Sequence, residues 1–337
     1  MRLPEPCGRL TEALIQRLAI AGSEPELAPP QLRSDDPLAD RDLQLALFIC
    51  HELHYGGFAE VDDDWEWQPS LVGFRNQLEQ AVLDRLVEEV GAPAPCAPAG
   101  VPAAIFELVR AGAGPPLSRY LETQATLEQF SEFVIHRSAY QLKEADPHTF
   151  GIPRIPGAAK AAMVEVQADE YGGGDAERMH SRLFANTMQA LGLDSTYGAY
   201  VSLLPPTTLL TVNLISLFGL RRRWRGALVG HLAGFEISSP QPNRRYANGL
   251  RRLGFDQRAT EFYDEHVEAD SVHENIAAYD LAGGLARQEP ELAGDILFGV
   301  RALLWTEVRF AAWMLAAWEV GEPSLLAPPS VAAHRNG

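Results

Sequence analysis

Gln257 to Gln288 reads QRATEFYDEHVEADSVHENIAAYDLAGGLARQ, and Pro290 to Val320 continues as PELAGDILFGVRALLWTEVRFAAWMLAAWEV. Apolar residues recur every three to four positions through both stretches, the period of a helix and not the two-residue alternation of a strand. Two such long helices in succession read as one continuous helical core. Upstream the same spacing returns: Leu43, Leu47 and Cys50 keep it, and Leu71, Phe74, Leu78, Val82, Leu86 and Val90 keep it up to a stop at Gly91. Further helical patterns cover 104–111, 117–137, 158–170, 175–191, 207–220 and 222–237. No strand-and-turn series, no repeat of solenoid length and no Gly-rich strand-to-helix turn of the nucleotide-binding kind interrupts them. The sequence therefore predicts an all-α bundle, with an arm at 1–40, one helical domain at 41–322 and a tail at 323–337. Within the domain, 41–135 reads as an N-terminal helical elaboration and 136–322 as the core.

The 337 residues hold 28 Lys+Arg against 45 Asp+Glu, a net charge of −17. No basic block is longer than Arg221 to Arg223, so neither nucleic acid nor an anionic membrane is expected as a partner. Cys7, Cys50 and Cys96 are odd in number and lack C-x-x-C spacing, which indicates neither a disulfide framework nor a thiolate zinc site. The first thirty residues interleave Glu, Arg and Pro without an apolar run, so no signal peptide is read and a cytoplasmic location is expected. Residues 195–220 carry no formal charge, but Pro205-Pro206 divides them. The helical part that follows would reach about 21 Å against roughly 30 Å of bilayer hydrocarbon, so it reads as a buried core helix.

Chemistry concentrates in four places. His266, Asp270 and His273 stand at i, i+4 and i+7 of the long predicted helix, within about 60° of one another on one face. Two imidazoles and a carboxylate on one stripe suit iron, manganese or zinc, although the same trio also serves as a solvated helix face. Glu170 and Glu177 compete as partners of His180. Glu177 forms a Glu-x-x-His pair of the kind four-helix dimetal sites use. Ten residues of unbroken helix would hold Glu170 about 15 Å from His180, but Gly172, Gly173 and Gly174 make a break there plausible. Glu236 is the one acid between Ser195 and Tyr246, set among Ala, Leu, Phe and Ile, where an unpaired carboxylate is costly to bury unless it meets a cation. Glu144, in LKEADPH, is by local sequence an ordinary loop acid. His51-Glu52-Leu53-His54 lacks the two-residue spacer of a zinc helix and places its histidines on different faces, so no metal is expected there.

Taken together, LKEADPHTFGIPR (142–154), VEVQADEYGGGDAERMH (164–180), GFEISS (234–239) and the His266 to His273 stretch resemble the haem-oxygenase-like di-iron oxidases. The resemblance covers roughly residues 40 to 322 and implies a haem-oxygenase-like helical bundle. It implies metal ligands at Glu170, His180, Glu236, His266, Asp270 and His273, with Glu144 falling where N-oxygenating members place an extra carboxylate. It implies two irons per chain, O2 as co-substrate, an external electron donor and a homodimer. The expected activity is N-oxygenation of a small amino acid or amine in specialised metabolism. Oxidative C–C cleavage or desaturation of an amino or fatty acid is the alternative within enzymes, and a non-enzymatic helical binding or dimerisation protein the alternative outside them. Members that go on to N-nitrosourea carry a further C-terminal cupin domain, for which the sequence after Val320 leaves no room, so that chemistry is not expected. Asp169, Glu165 and Tyr263 are candidates to orient the imidazoles. Substrate contacts are expected from 195–220 and from Trp305, Glu307 and Arg309, with Arg309 as a carboxylate clamp.

Overall fold

The hydrophobic period that runs through the sequence is realised as fifteen α-helices, with no strand among the described residues. A computed structural model describes residues 1–20, 26–112 and 114–329, with backbone alone at 269–272. In chain order the helices are α1 (Arg9–Leu18), α2 (Arg41–Glu52), α3 (Pro69–Val90), α4 (Val101–Ala111) and α5 (Leu117–Thr123). Next come α6 (Leu127–Gln141), α7 (Asp146–Thr149), α8 (Gly157–Glu170), α9 (His180–Ala190) and α10 (Pro206–Leu220). The last five are α11 (Arg225–Ser238), α12 (Pro240–Arg252), α13 (Gln257–Asn275), α14 (Gly283–Gln288) and α15 (Ala293–Glu319).

Local chemistry sets several boundaries. Thr126 and Gln129 cap α6 reciprocally, and Gly91 ends α3 at φ 77°, the left-handed region that glycine enters at no steric cost. The helix expected over 117–137 is two helices, because α5 stops at Thr123 and the Thr126 cap starts a new one. The helix expected over 257–288 is interrupted by a π-helical segment at Ile276–Ala282, immediately after His273. Three helices have no counterpart in the expected pattern, the four-residue α7 among them. Helix α12 is short and strongly polar, and α1 lies inside the first forty residues, where Leu14 and Leu18 are buried against the core.

The strongest helix pairing is α11 against α15. A Cβ on Gly230 would lie 1.8 Å from the Ile296 carbonyl oxygen, and one on Gly299 would lie 2.0 Å from that of Ala227. Only glycine lets the two backbones approach this closely, and that contact fixes the first half of α11, the helix that carries Glu236 near its other end. Helix α10 is buried along almost its whole length and packs on α2, α15 and α11, as its uncharged sequence requires. No described helix is long and apolar enough to cross a membrane.

Candidate metal centre

Six of the seven residues expected to bind metal converge from five separate segments. Asp270 lies on α13 between His266 and His273, but its side chain falls outside the described residues.

Glu144 sits in the turn between α6 and α7. Its neighbour Ala145 has φ 75°, the one positive φ at a non-glycine position among the described residues. A Cβ in the left-handed region costs about 1–2 kcal/mol, and strain of this kind collects where a side chain must be aimed. Glu144 is buried, with Oε1 3.6 Å from His266 Nε2. Glu170 is the last residue of α8 and His180 the first of α9. Between them the chain reverses through Gly172, Gly173 and Gly174, all at positive φ, and a Cβ on Gly172 would lie 2.6 Å from the Arg178 carbonyl carbon. The break anticipated from the three glycines thus brings Glu170 Oε2 to 2.9 Å from His180 Nδ1. Glu177 does not compete: it is exposed and pairs with Arg182 at 3.1 Å. The helix expected from 175 starts only at His180, because the reversal occupies the residues before it.

The imidazoles are oriented from behind. His266 Nδ1 donates to the Phe262 carbonyl at 2.7 Å, so its Nε2, bare in the neutral ring, faces Glu144. His273 Nε2 donates to Asp169 at 2.8 Å, and its Nδ1 faces Glu236 Oε2 at 3.4 Å. A histidine whose far nitrogen is held by a carboxylate or carbonyl presents its near lone pair, as metal-bound histidines do. Of the three residues expected to orient imidazoles, Asp169 does so. Glu165 is exposed, and Tyr263 lines the neighbouring cavity instead.

Two overlapping groups result. One oxygen or nitrogen each from Glu144, Glu170, His180 and His266 lies within 4.8 Å of the others, and the same holds for Glu170, Glu236 and His273. Glu170 belongs to both, so the arrangement can hold two cations that share one carboxylate. The fit to a metal rests on orphaned atoms. Glu144 Oε2, Glu170 Oε2, His180 Nδ1, Glu236 Oε2 and His273 Nδ1 are all buried without a hydrogen bond. Four of the five face one another only as carboxylate–imidazole contacts, at 2.9 Å and 3.4 Å, and with Glu144 Oε2 they converge on one place where a cation would satisfy them. The electrostatics agree. Burial pushes the Glu144 and Glu236 carboxyls up, against the pull of the nearby imidazoles. At Glu170 burial also acts upward, but His180, His266 and His273 outweigh it and hold the carboxyl at about 2. At His273 burial acts downward, yet Glu236 and then Asp169 raise it to about 9. Nitrogen and carboxylate donors in this mixture suit iron, manganese or zinc.

A cavity of about 120 Å³ opens beside the cluster, lined by Glu144, Glu170, Glu236 and His266 and by a mixture of aromatic rings and polar side chains. Its other polar walls differ from expectation. Glu307 of α15 contributes, but Trp305 and Arg309 do not: Arg309 lies over the Trp305 ring, 4.7 Å from its centroid. Residues 195–220 contribute nothing, since α10 is committed to the core. The sequence reading passed over Arg137 and Tyr140, which line the cavity from α6. The signal was present, because Phe133, Arg137 and Tyr140 keep helical spacing with the segment that leads to Glu144.

Residues 131–308 match the family described as iron-containing redox enzyme. A nitrosourea synthase of Streptomyces achromogenes subsp. streptozoticus is 30% identical over 136 residues, 40% of this chain. That match spans 29% of the synthase, well under half its length. Among solved structures, a CADD-like protein of unknown function from Nostoc punctiforme superposes with a TM-score of 0.50 at 17% identity, over 64% of this chain and 96% of that one. This likeness concerns the fold, a haem-oxygenase-like helical bundle.

Proposed function

The chain belongs to the iron-containing redox enzyme family, and on that footing we propose that it is an O2-dependent di-iron oxidase that oxygenates nitrogen on a small amino acid or amine. The observation that carries this reading is the sharing of Glu170 by two donor groups beside a small cavity lined by several aromatic rings. The likeness to a nitrosourea synthase, an enzyme named for a nitrogen-centred product, supports nitrogen as the atom oxidised.

Glu144, Glu170, His180, Glu236, His266 and His273 would hold two irons, with Asp270 placed by sequence on the same helix. Iron bound there supplies O2 activation and two-electron chemistry. Hydroxylation of an amine consumes O2, two electrons and two protons and yields a hydroxylamine and water, the electrons coming from an external donor. The chain's own contribution is placement. The Phe262 carbonyl and Asp169 fix the tautomers of His266 and His273. Tyr140 and Phe235, stacked with ring centroids 5.8 Å apart, form an apolar wall that excludes bulk water from the Glu144 side. The small cavity, far below the roughly 300–1,000 Å³ that drug-sized ligands occupy, selects a compact substrate.

Anaerobic titration with Fe(II), then exposure to O2 with a panel of amino acids and amines, tests the reading. The expected result is about two irons per chain and substrate-dependent O2 consumption with one oxygen gained on nitrogen. No iron uptake, or products cleaved at carbon, would overturn it.

A further inference from the structure

Two residues lining the cavity belong to neither donor group. Arg137 on α6 and Glu307 on α15 form a forked pair, with Nη1 donating to Oε1 at 2.9 Å and Nη2 to Oε2 at 2.6 Å. The pair is separate from the cluster. Helix α15 supplies none of the six converging residues, and Arg137 precedes the end of α6 at Gln141 by four residues, about 6 Å of helical rise, before the turn that carries Glu144. The guanidinium is held between rings: its carbon lies 4.2 Å from the Phe310 ring centroid and 5.6 Å from that of Phe133. Two of its five N–H groups go to Glu307, and both Glu307 oxygens keep a second lone pair.

A purely structural ion pair would be expected to close its own hydrogen bonding. Around this one the accounting is incomplete. The Tyr263 hydroxyl lines the same cavity, its residue 2% exposed, and has no hydrogen-bond partner, and Oε1 of Gln141, which also lines the cavity, is likewise buried and unpaired. These atoms mark a place for polar groups of a ligand.

We propose that Arg137 and Glu307 bind the head group of an α-amino acid, the guanidinium taking the carboxylate and Glu307 the ammonium, with Tyr263 and Gln141 completing the contacts. Charge is the discriminating argument. The pair is neutral and so is a zwitterionic head group, so the four charges alternate in sign and no net charge enters a half-buried site. A fatty acid would bring a lone carboxylate beside Glu307 and the three acids of the cluster. A simple amine would meet Glu307 and leave the other side of Arg137 unmatched. Bound this way, the amino acid extends its side chain toward Glu144 and His266. Together with the proposed function, on which this one step rests, that makes a side-chain nitrogen the atom oxidised.

The test is calorimetric binding to the iron-loaded protein without O2, using the twenty common L-amino acids, ornithine and citrulline. For each binder, its decarboxylated and deaminated analogues follow. At least one amino acid is expected to bind, with each analogue about 10- to 100-fold weaker, the cost of one lost charge-assisted hydrogen bond. Glu307→Gln is expected to abolish the discrimination against the deaminated analogue, and Arg137→Gln that against the decarboxylated one. The analogue series needs no variant, so a misfolded variant leaves the test intact. Analogues as tight as the amino acid, or no binder in the panel, would overturn the head-group site. On admitting O2, oxygen found on the α-nitrogen would overturn the orientation. Tight, discriminating binding with no oxidation would overturn the proposed function and leave the head-group site standing.

Discussion

Two buried clusters of histidine and glutamate lie in this protein, and their difference separates structural charge from chemistry. In the first, on α2, α3 and the turn after α6, Glu52 pairs with Lys143, and Glu79 meets His51 at 3.0 Å, Arg75 at 3.5 Å and Arg221. Every acid there has a lysine or arginine of the chain itself. In the second, Glu144, Glu170 and Glu236 meet imidazoles and no lysine or arginine among the described residues, at 3.6, 2.9 and 3.4 Å. Both clusters are buried, so burial does not distinguish them. What differs is whether the chain supplies the countercharge. Lys143 and Glu144 are adjacent in sequence and point into different clusters, and the left-handed Ala145 directly after them is where the backbone makes that division.

The contrast can be broken experimentally, the largest effect first. Lys143→Met strands the fully buried Glu52 and is expected to cost about 3–5 kcal/mol, read from chemical denaturation, whereas Glu52→Gln with Lys143→Met restores part of it. If Lys143→Met is silent, the first cluster is not held by its ion pairs. Glu170→Ala is expected to weaken Fe(II) binding at both positions by at least about 100-fold, more than the loss of an outer partner, and to leave the fold intact by circular dichroism. Loss at one position only would show that the two groups do not share it.

Smaller effects sharpen the same line. In chelator-treated protein, Glu144→Gln removes a buried carboxyl whose ionisation burial disfavours, so the melting temperature is expected to rise, a gain on the order of 1 kcal/mol. The same kind of change at Glu52 lowers it. For pH, His273 has a folded value of about 9, above the ordinary imidazole range. Its contribution to metal-free stability is therefore complete below about pH 6.5 and lost as pH rises through 9. Iron must displace that proton, so Fe(II) affinity is expected to rise over the same interval, and a flat titration would contradict the pairing with Glu236. Last, Ala145→Gly relieves left-handed strain and is expected to raise the melting temperature by a few tenths to 1 kcal/mol equivalent.

Much of this was legible before any coordinates. The seven-residue interval between His266 and His273 puts both on one helix stripe because helical rise and twist are local properties of the chain. The isolation of Glu236 in an uncharged stretch marked it for the same elementary reason. The motif at His51 to His54 was set aside because its spacing cannot aim two imidazoles at one ion, and its members pair with Glu79, Glu66 and Arg75. The choice between Glu170 and Glu177 was not legible, because both stand at workable intervals from His180 and only the reversal at Gly172 decides which of them turns inward. The wall of the cavity was read correctly at Glu307 but not at Trp305 and Arg309, for a related reason. Nothing local distinguishes Arg137, whose cavity position depends on α6 lying against α15, from Arg309, which lies on its own helix neighbour Trp305.

By itself the sequence determined the helical class and supplied the donors, because periodicity and side-chain chemistry are written in short-range spacing. Tertiary structure alone decided which acids lack a cationic partner, because that depends on side chains such as Glu79 and Arg221, 142 residues apart in sequence, meeting where water screens and solvates them little.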